Sequence, residues 1–111
     1  MKWVNLNQVP IEAVSHNPEI RKQVMLRSQE IPHLTNFSQA RFAPGQRTTV
    51  HSHPDMAEVF FVEAGLGEIY VNGDRYDLTV GTCVAIAPGE VHELVNLGES
   101  DLVLTYFGIV V

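Results

Sequence analysis

Apolar positions along this chain come in short runs rich in Val, Ile, Phe, Tyr and Thr, cut by turn-forming residues at close intervals. Pro44-Gly45, Gly65-Leu66-Gly67, Asn72-Gly73, Pro88-Gly89 and Gly98-Glu99-Ser100 mark the breaks. The runs between them, 47–53, 58–64, 67–72, 83–87, 91–97 and 102–110, predict strands. Turn signals every ~8–12 residues are the signature of an antiparallel sandwich or barrel. Asn72-Gly73 is the clearest hairpin, since a type I′ turn needs two residues that tolerate positive φ. Upstream, 23–26 and 37–43 predict two further strands. Asn17-Pro18-Glu19 reads as an N-cap with proline at the first helical position, which predicts about one turn of helix. The expectation is an all-β domain spanning residues 1–111, with a barrel core over about 36–110 and an N-terminal extension over 1–35.

In Val59-Phe60-Phe61-Val62 and again in 102–111 both faces of the strand are apolar. A half-solvated strand alternates, so these two need a cover on each side. The barrel interior is one cover. The other is the N-terminal segment or a second copy of the chain, and a homodimer is the expectation.

Composition then narrows the partners. The 111 residues carry 7 Lys+Arg against 13 Asp+Glu, a formal charge of −6. That balance disfavours nucleic acid and anionic membrane surfaces. No apolar stretch approaches the ~18–20 residues of a membrane span. A lone cysteine, Cys83, cannot form an internal disulfide, and residues 1–5 show no apolar signal core, so a reducing cytoplasm is expected. Against one Cys stand five His.

Three of those His, with one carboxylate, form a constellation. His51 and His53, two apart on a predicted strand, point to one face with Cα atoms ~6.5–7 Å apart. Glu58 opens the next strand beyond the Pro54-Asp55 turn, and His92 follows the Pro88-Gly89 turn. Such a set suits a divalent first-row metal, although a His-x-His pair on a strand is also common as a hydrogen-bonded surface pair.

The spacing of these residues with glycine resembles the cupin superfamily of small jelly-roll barrels. The family's first motif, G-x5-H-x-H-x(3,4)-E-x6-G, is matched by Gly45, His51, His53, Glu58 and Gly65. Its second, G-x5-P-x-G-x2-H-x3-N, is matched by Gly81, Gly89, His92 and Asn96, with the proline displaced by one to Pro88 so that Ala87 stands in its usual place. Thr82 replaces the family's usual Asp after Gly81, a weaker brace for that turn. The resemblance implies a cupin barrel and the ligand set His51, His53, Glu58 and His92. It also implies one divalent transition metal ion, for which Fe, Mn, Ni, Zn, Co and Cu all accept N/O donors.

Around that centre, counting by two along each strand turns Phe60, Val62, Leu94 and Asn96 inward, with Thr49 and Arg47 on the face of His51. These residues predict a mostly apolar pocket for a small organic molecule, Arg47 nearest its mouth. Glu63 falls on the opposite face. Tyr70, Tyr76 and Tyr106 are candidates for a hydrogen bond or an acid, and for packing. Arg41 and Arg47 are candidate anion ligands or surface pairs. Cys83 reads as a small core residue; His16 and His33 read as loop residues. Three function classes fit: a metal-dependent oxygenase, a metal-dependent isomerase, epimerase or lyase, and a non-catalytic small-molecule binding module. Fold alone does not choose among them.

Overall fold

The computed structural model describes residues 1–14 and 17–111. His16 therefore lies outside the described residues. Among the described residues nine strands follow a short 3-10 turn at Leu6–Gln8, which Asn5 caps through its side chain. They are β1 (Ile11–Val14), β2 (Asn17–Leu26), β3 (Leu34–Phe42), β4 (Met56–Ala64), β5 (Gly67–Val71), β6 (Asp74–Leu78), β7 (Cys83–Ile86), β8 (His92–Val95) and β9 (Leu102–Val110). All pairings are antiparallel, in a six-stranded sheet β1-β2-β3-β9-β4-β7 and a three-stranded sheet β6-β5-β8. This is the two-sheet β architecture that the turn spacing predicts. No helix among the described residues is long and apolar enough to cross a membrane.

Strand parity builds the interior. On β4, Glu58, Phe60 and Val62 are buried while Phe61 and Glu63 face out. On β9, Leu102 and Leu104 meet Phe42 and Ala40 of β3. Val103 is buried as well, so of the two-faced burial read for 102–111 the part over 102–104 is met within one chain, while Ile109 and Val110 are exposed. Further along the outer face, Phe61 and Ile109 stay exposed at 42% and 36%. Asn72 and Gly73 have φ of 51° and 86°, the type I′ hairpin that joins β5 to β6.

Three expectations are corrected. Asn17-Pro18-Glu19 starts β2 and no helix: the Asn17 carboxamide accepts from the Glu19 N–H and donates to the Arg47 carbonyl. Pro18 sits before the first β2–β3 pair, Arg21 with Arg41, where its missing N–H costs no ladder bond. Residues 47–53 make only isolated bridges, Arg47 with Val95 and His51 with His92. Cys83 is exposed, because β7 is an edge strand whose inward positions are Val84 and Ile86.

Gly65 has φ of 88°, and a Cβ there would lie 2.4 Å from the Asp101 carbonyl oxygen. Gly45 has φ of 83° with open space around it. Gly65→Ala should therefore cost about 3 kcal/mol in urea unfolding and Gly45→Ala only about 1 kcal/mol. Equal losses at the two positions would contradict the close approach at Gly65.

Candidate metal centre

The segment that carries the first two histidines is irregular but firmly tied. Gly45 N–H donates to the Asn96 carbonyl at 2.9 Å, Thr48 N–H to Leu94 at 2.9 Å, and Gly89 N–H to His53 at 2.8 Å. His51 and His92 exchange both backbone bonds, at 3.1 and 2.9 Å. Each N–H so bound removes freedom from the loop, and together they hold residues 45–53 against β8 without a continuous ladder. Glu58 arrives from the neighbouring sheet as an inward position of β4.

These elements bring the four side chains together. One ligand atom from each of His51, His53, Glu58 and His92 lies within 4.8 Å of every other. His92 Nε2 is 3.1 Å and His53 Nε2 3.4 Å from Glu58 Oε1. Donors bonded to one ion at 2.0–2.2 Å stand about 3.0 Å apart along an octahedral edge and about 3.4 Å along a tetrahedral one. The two Glu58–histidine pairs are at coordination spacing before any ion is considered.

Ring orientation follows from backbone acceptors. His51 Nδ1 lies 2.7 Å from the Thr49 carbonyl and His92 Nδ1 2.9 Å from the Glu90 carbonyl. A carbonyl only accepts, so Nδ1 carries a proton in both rings and Nε2 is the nitrogen that would coordinate an ion. Glu58 and His92 are buried, at 7% and 1% exposure. Among the described residues the ion-pair partners of Glu58 are His53 and His92 alone. Neutral imidazoles do not balance a buried carboxylate. A protonated His92 does so in the metal-free protein, and a divalent cation would do so in its place; the N/O donor set fits a metal.

The centre opens on a cavity of about 160 Å³. The structure brings Phe60 and Leu94 to it as read from the sequence. Val62 packs in the core instead, fully buried. Asn96 is fully buried, donating to the Phe42 and Ser100 carbonyls and accepting from Gly98 N–H, a brace for the loop that follows β8. Arg47 is exposed and donates to Glu93 at 3.1 Å. Counting by two fails in this segment because it is not a regular strand, and Thr48 lines the cavity in place of Thr49 and Arg47. Arg41 pairs with Asp101 at the surface, and Glu63 accepts from Thr105 on the outer face.

Sequence reasoning missed Lys22, Asn36 and Met56, and left Tyr106 unphased; all four line the cavity. Burial pushes the Tyr106 phenol up to about 12, against the opposing effect of its hydrogen bond with Ser38. Tyr70 and Tyr76 lie elsewhere: Tyr70 donates to Glu68, and Tyr76 is exposed on β6.

Known proteins now bear on this geometry. Residues 38–110 match the family model for the cupin domain. The chain belongs to the cupin family. A curated relative, the oxalate-binding protein of Thermotoga maritima, is 27% identical over 66 residues, 60% of this chain. The match spans about half of that protein, 54% of its length. Among solved structures, a predicted oxalate decarboxylase from Thermotoga maritima is similar with a TM-score of 0.92 at 21% identity, over 99% of this cupin and 100% of that chain. KdgF from Halomonas sp. has a TM-score of 0.82 at 20% identity, over 98% and 94%. An RmlC-like cupin from Shewanella frigidimarina has 0.80 at 20%, over 99% and 90%. At these identities the structural likenesses establish the cupin barrel.

Protonation of the cluster has a sign. Burial lowers His51 below the ordinary histidine value, against the Thr49 hydrogen bond. Burial also acts to lower His92, but the hydrogen bonds to Glu58 and the Glu90 carbonyl and the Glu58 charge outweigh it, and His92 is raised. In the metal-free protein the His92–Glu58 pair thus stabilises below the ordinary histidine value of about 6.5 and is lost as pH rises through the raised value. His51 does the reverse: its contribution is present above that value and lost as pH falls through the lowered one. Metal uptake must displace the His92 proton, so affinity should fall at least tenfold per pH unit below the His92 midpoint. Calorimetry of Zn²⁺ binding in two buffers of different ionisation heat should show proton release at pH 6; a pH-independent affinity would contradict the assignment.

Proposed function

We propose that this cupin holds one divalent transition metal ion through His51, His53, Glu58 and His92 and presents it to a small organic ligand, as a metalloenzyme of the cytoplasm. The observation that carries the proposal is the buried Glu58 carboxylate facing three imidazoles at coordination spacing, on the wall of a cavity. Such an ion supplies Lewis acidity or, if it is Fe, Mn or Cu, one-electron chemistry. The protein supplies the rest. Backbone carbonyls of Thr49 and Glu90 hold the imidazoles in the coordinating tautomer, and Phe60, Leu94 and Leu104 keep the chamber apolar.

Two enzymatic readings follow from such an ion: an oxygenase, and an isomerase, epimerase or lyase. The second moves a proton with a side chain. Besides the four ligands, the ionisable side chains lining the cavity among the described residues are Lys22 and Tyr106, the latter pushed up to about 12 by burial. The name of the Thermotoga relative supports a small carboxylate as ligand, and supports as second reading a module that binds without turnover.

Protein loaded with Mn, Fe or Zn and offered small organic acids and diketones separates the readings. An enzyme should turn over with a redox-active or Lewis-acid ion, and lose all of it in His51→Ala and His92→Ala variants that keep the fold. Turnover that survives loss of both His would overturn the ligand assignment. Ligand-dependent thermal stabilisation without turnover for any ion would favour the binding module. The exposed Phe61 and Ile109 also support pairing of two copies through the outer sheet face. Light scattering should then give twice the 12.4 kDa chain mass, and a single chain mass at micromolar concentration would contradict it.

A further inference from the structure

The cavity has polar lining that the metal ligands do not form. Lys22 of β2, Asn36 of β3 and Tyr106 of β9 line it, with Phe42 and Leu104 beside them. Lys22 occupies an inward position: Ile20 and Val24, two residues away on the same face, are buried, and its partner across the strand is buried Ala40. A cation in an apolar row is held at a cost unless its charge is met. Glu12 stands opposite on β1 and its charge acts on Lys22, but its carboxylate is bonded to Arg27 and does not line the cavity. Among the described residues Lys22 makes no side-chain hydrogen bond or ion pair. The Asn36 carboxamide oxygen is already engaged, accepting from the Ser38 hydroxyl at 2.6 Å.

Charge and size then define what fits. Histidines aside, Lys22 and Glu58 are the charged side chains of the lining. A divalent ion, the Glu58 carboxylate and the Lys22 ammonium together leave two positive charges in excess, the complement of a dianion. The volume of about 160 Å³ is close to the ~150 Å³ of a cavity that takes up benzene, and too small for a sugar phosphate or nucleotide. We propose that Lys22 is the specificity-determining residue of this site, binding one carboxylate of a small organic dianion whose other end lies at the metal centre. The proposal rests on the metal reading above.

Two probes with the same 2-hydroxy acid head and the same heavy-atom count isolate the far end: malate, which ends in a carboxylate, and 2-hydroxy-4-methylpentanoate, which ends in an isopropyl group. With Co²⁺-loaded protein the cobalt absorption reports binding of either. Malate should bind at least tenfold more tightly than its apolar isostere, as a charge-assisted bond at a shielded site requires. Lys22→Met should bring that ratio below about twofold with cobalt content unchanged, and Lys22→Arg should retain part of it. The wild-type ratio needs no variant, and Lys22→Gln repeats the test should Lys22→Met fold poorly. Equal binding of the two probes by the wild type, or a malate preference that survives loss of the ammonium, would overturn the role of Lys22 alone. Failure of the wild type to take up cobalt would overturn the metal reading and this proposal with it.

Discussion

A carboxylate buried among imidazoles is the constraint around which this barrel is arranged. Glu58 can reach the interior only because β4 alternates Glu58, Phe60 and Val62 inward against Val59, Phe61 and Glu63 outward. Its counter-groups come from two other places in the chain, and the geometry that joins them leaves residues 45–53 unable to run as a regular strand. Backbone bonds to β8 and to the Pro88-Gly89 turn replace the missing ladder. The reciprocal bonds between His51 and His92 fix two of the three imidazoles to one another through the main chain itself. The frame of this segment is main-chain bonding, which does not depend on the ligand side chains.

Much of this was legible before any coordinates, for identifiable reasons. The glycine and histidine spacing carried His51, His53, Glu58 and His92 to one centre because each motif encodes a turn plus a strand position. Parity carried Phe60 and Leu94 to the cavity, since β4 and β8 are regular where those residues lie. It failed for Arg47, whose segment is irregular, and for Asn96, whose carboxamide is consumed by backbone partners. Asn17-Pro18-Glu19 was misleading because an Asx-type bond from Asn17 serves a strand entry as well as a helix cap. Cys83 carried no mark of its edge strand. Lys22 did leave one, a lysine between Ile20 and Val24 at period two, but no motif covers the first 35 residues to give that pattern a place in the barrel.

The chamber that results is small and walled by apolar side chains. Strands β3, β4, β8 and β9 with the 45–53 segment bring the metal ligands and most of the lining, and β2, which extends the larger sheet past β3, contributes Lys22. A cupin barrel is compatible with many reactions, so the lining and not the fold carries the information on ligand. Its lining charges besides the histidines are Glu58 and Lys22, one carboxylate and one ammonium.

The account stands on one ion bound by four named side chains, and X-ray absorption of the Zn²⁺-loaded protein measures that directly. It predicts three imidazole nitrogens and one carboxylate oxygen at about 2.0–2.2 Å, with one nitrogen lost in His92→Ala. A coordination shell without histidine, or one that His92→Ala leaves unchanged, would contradict it.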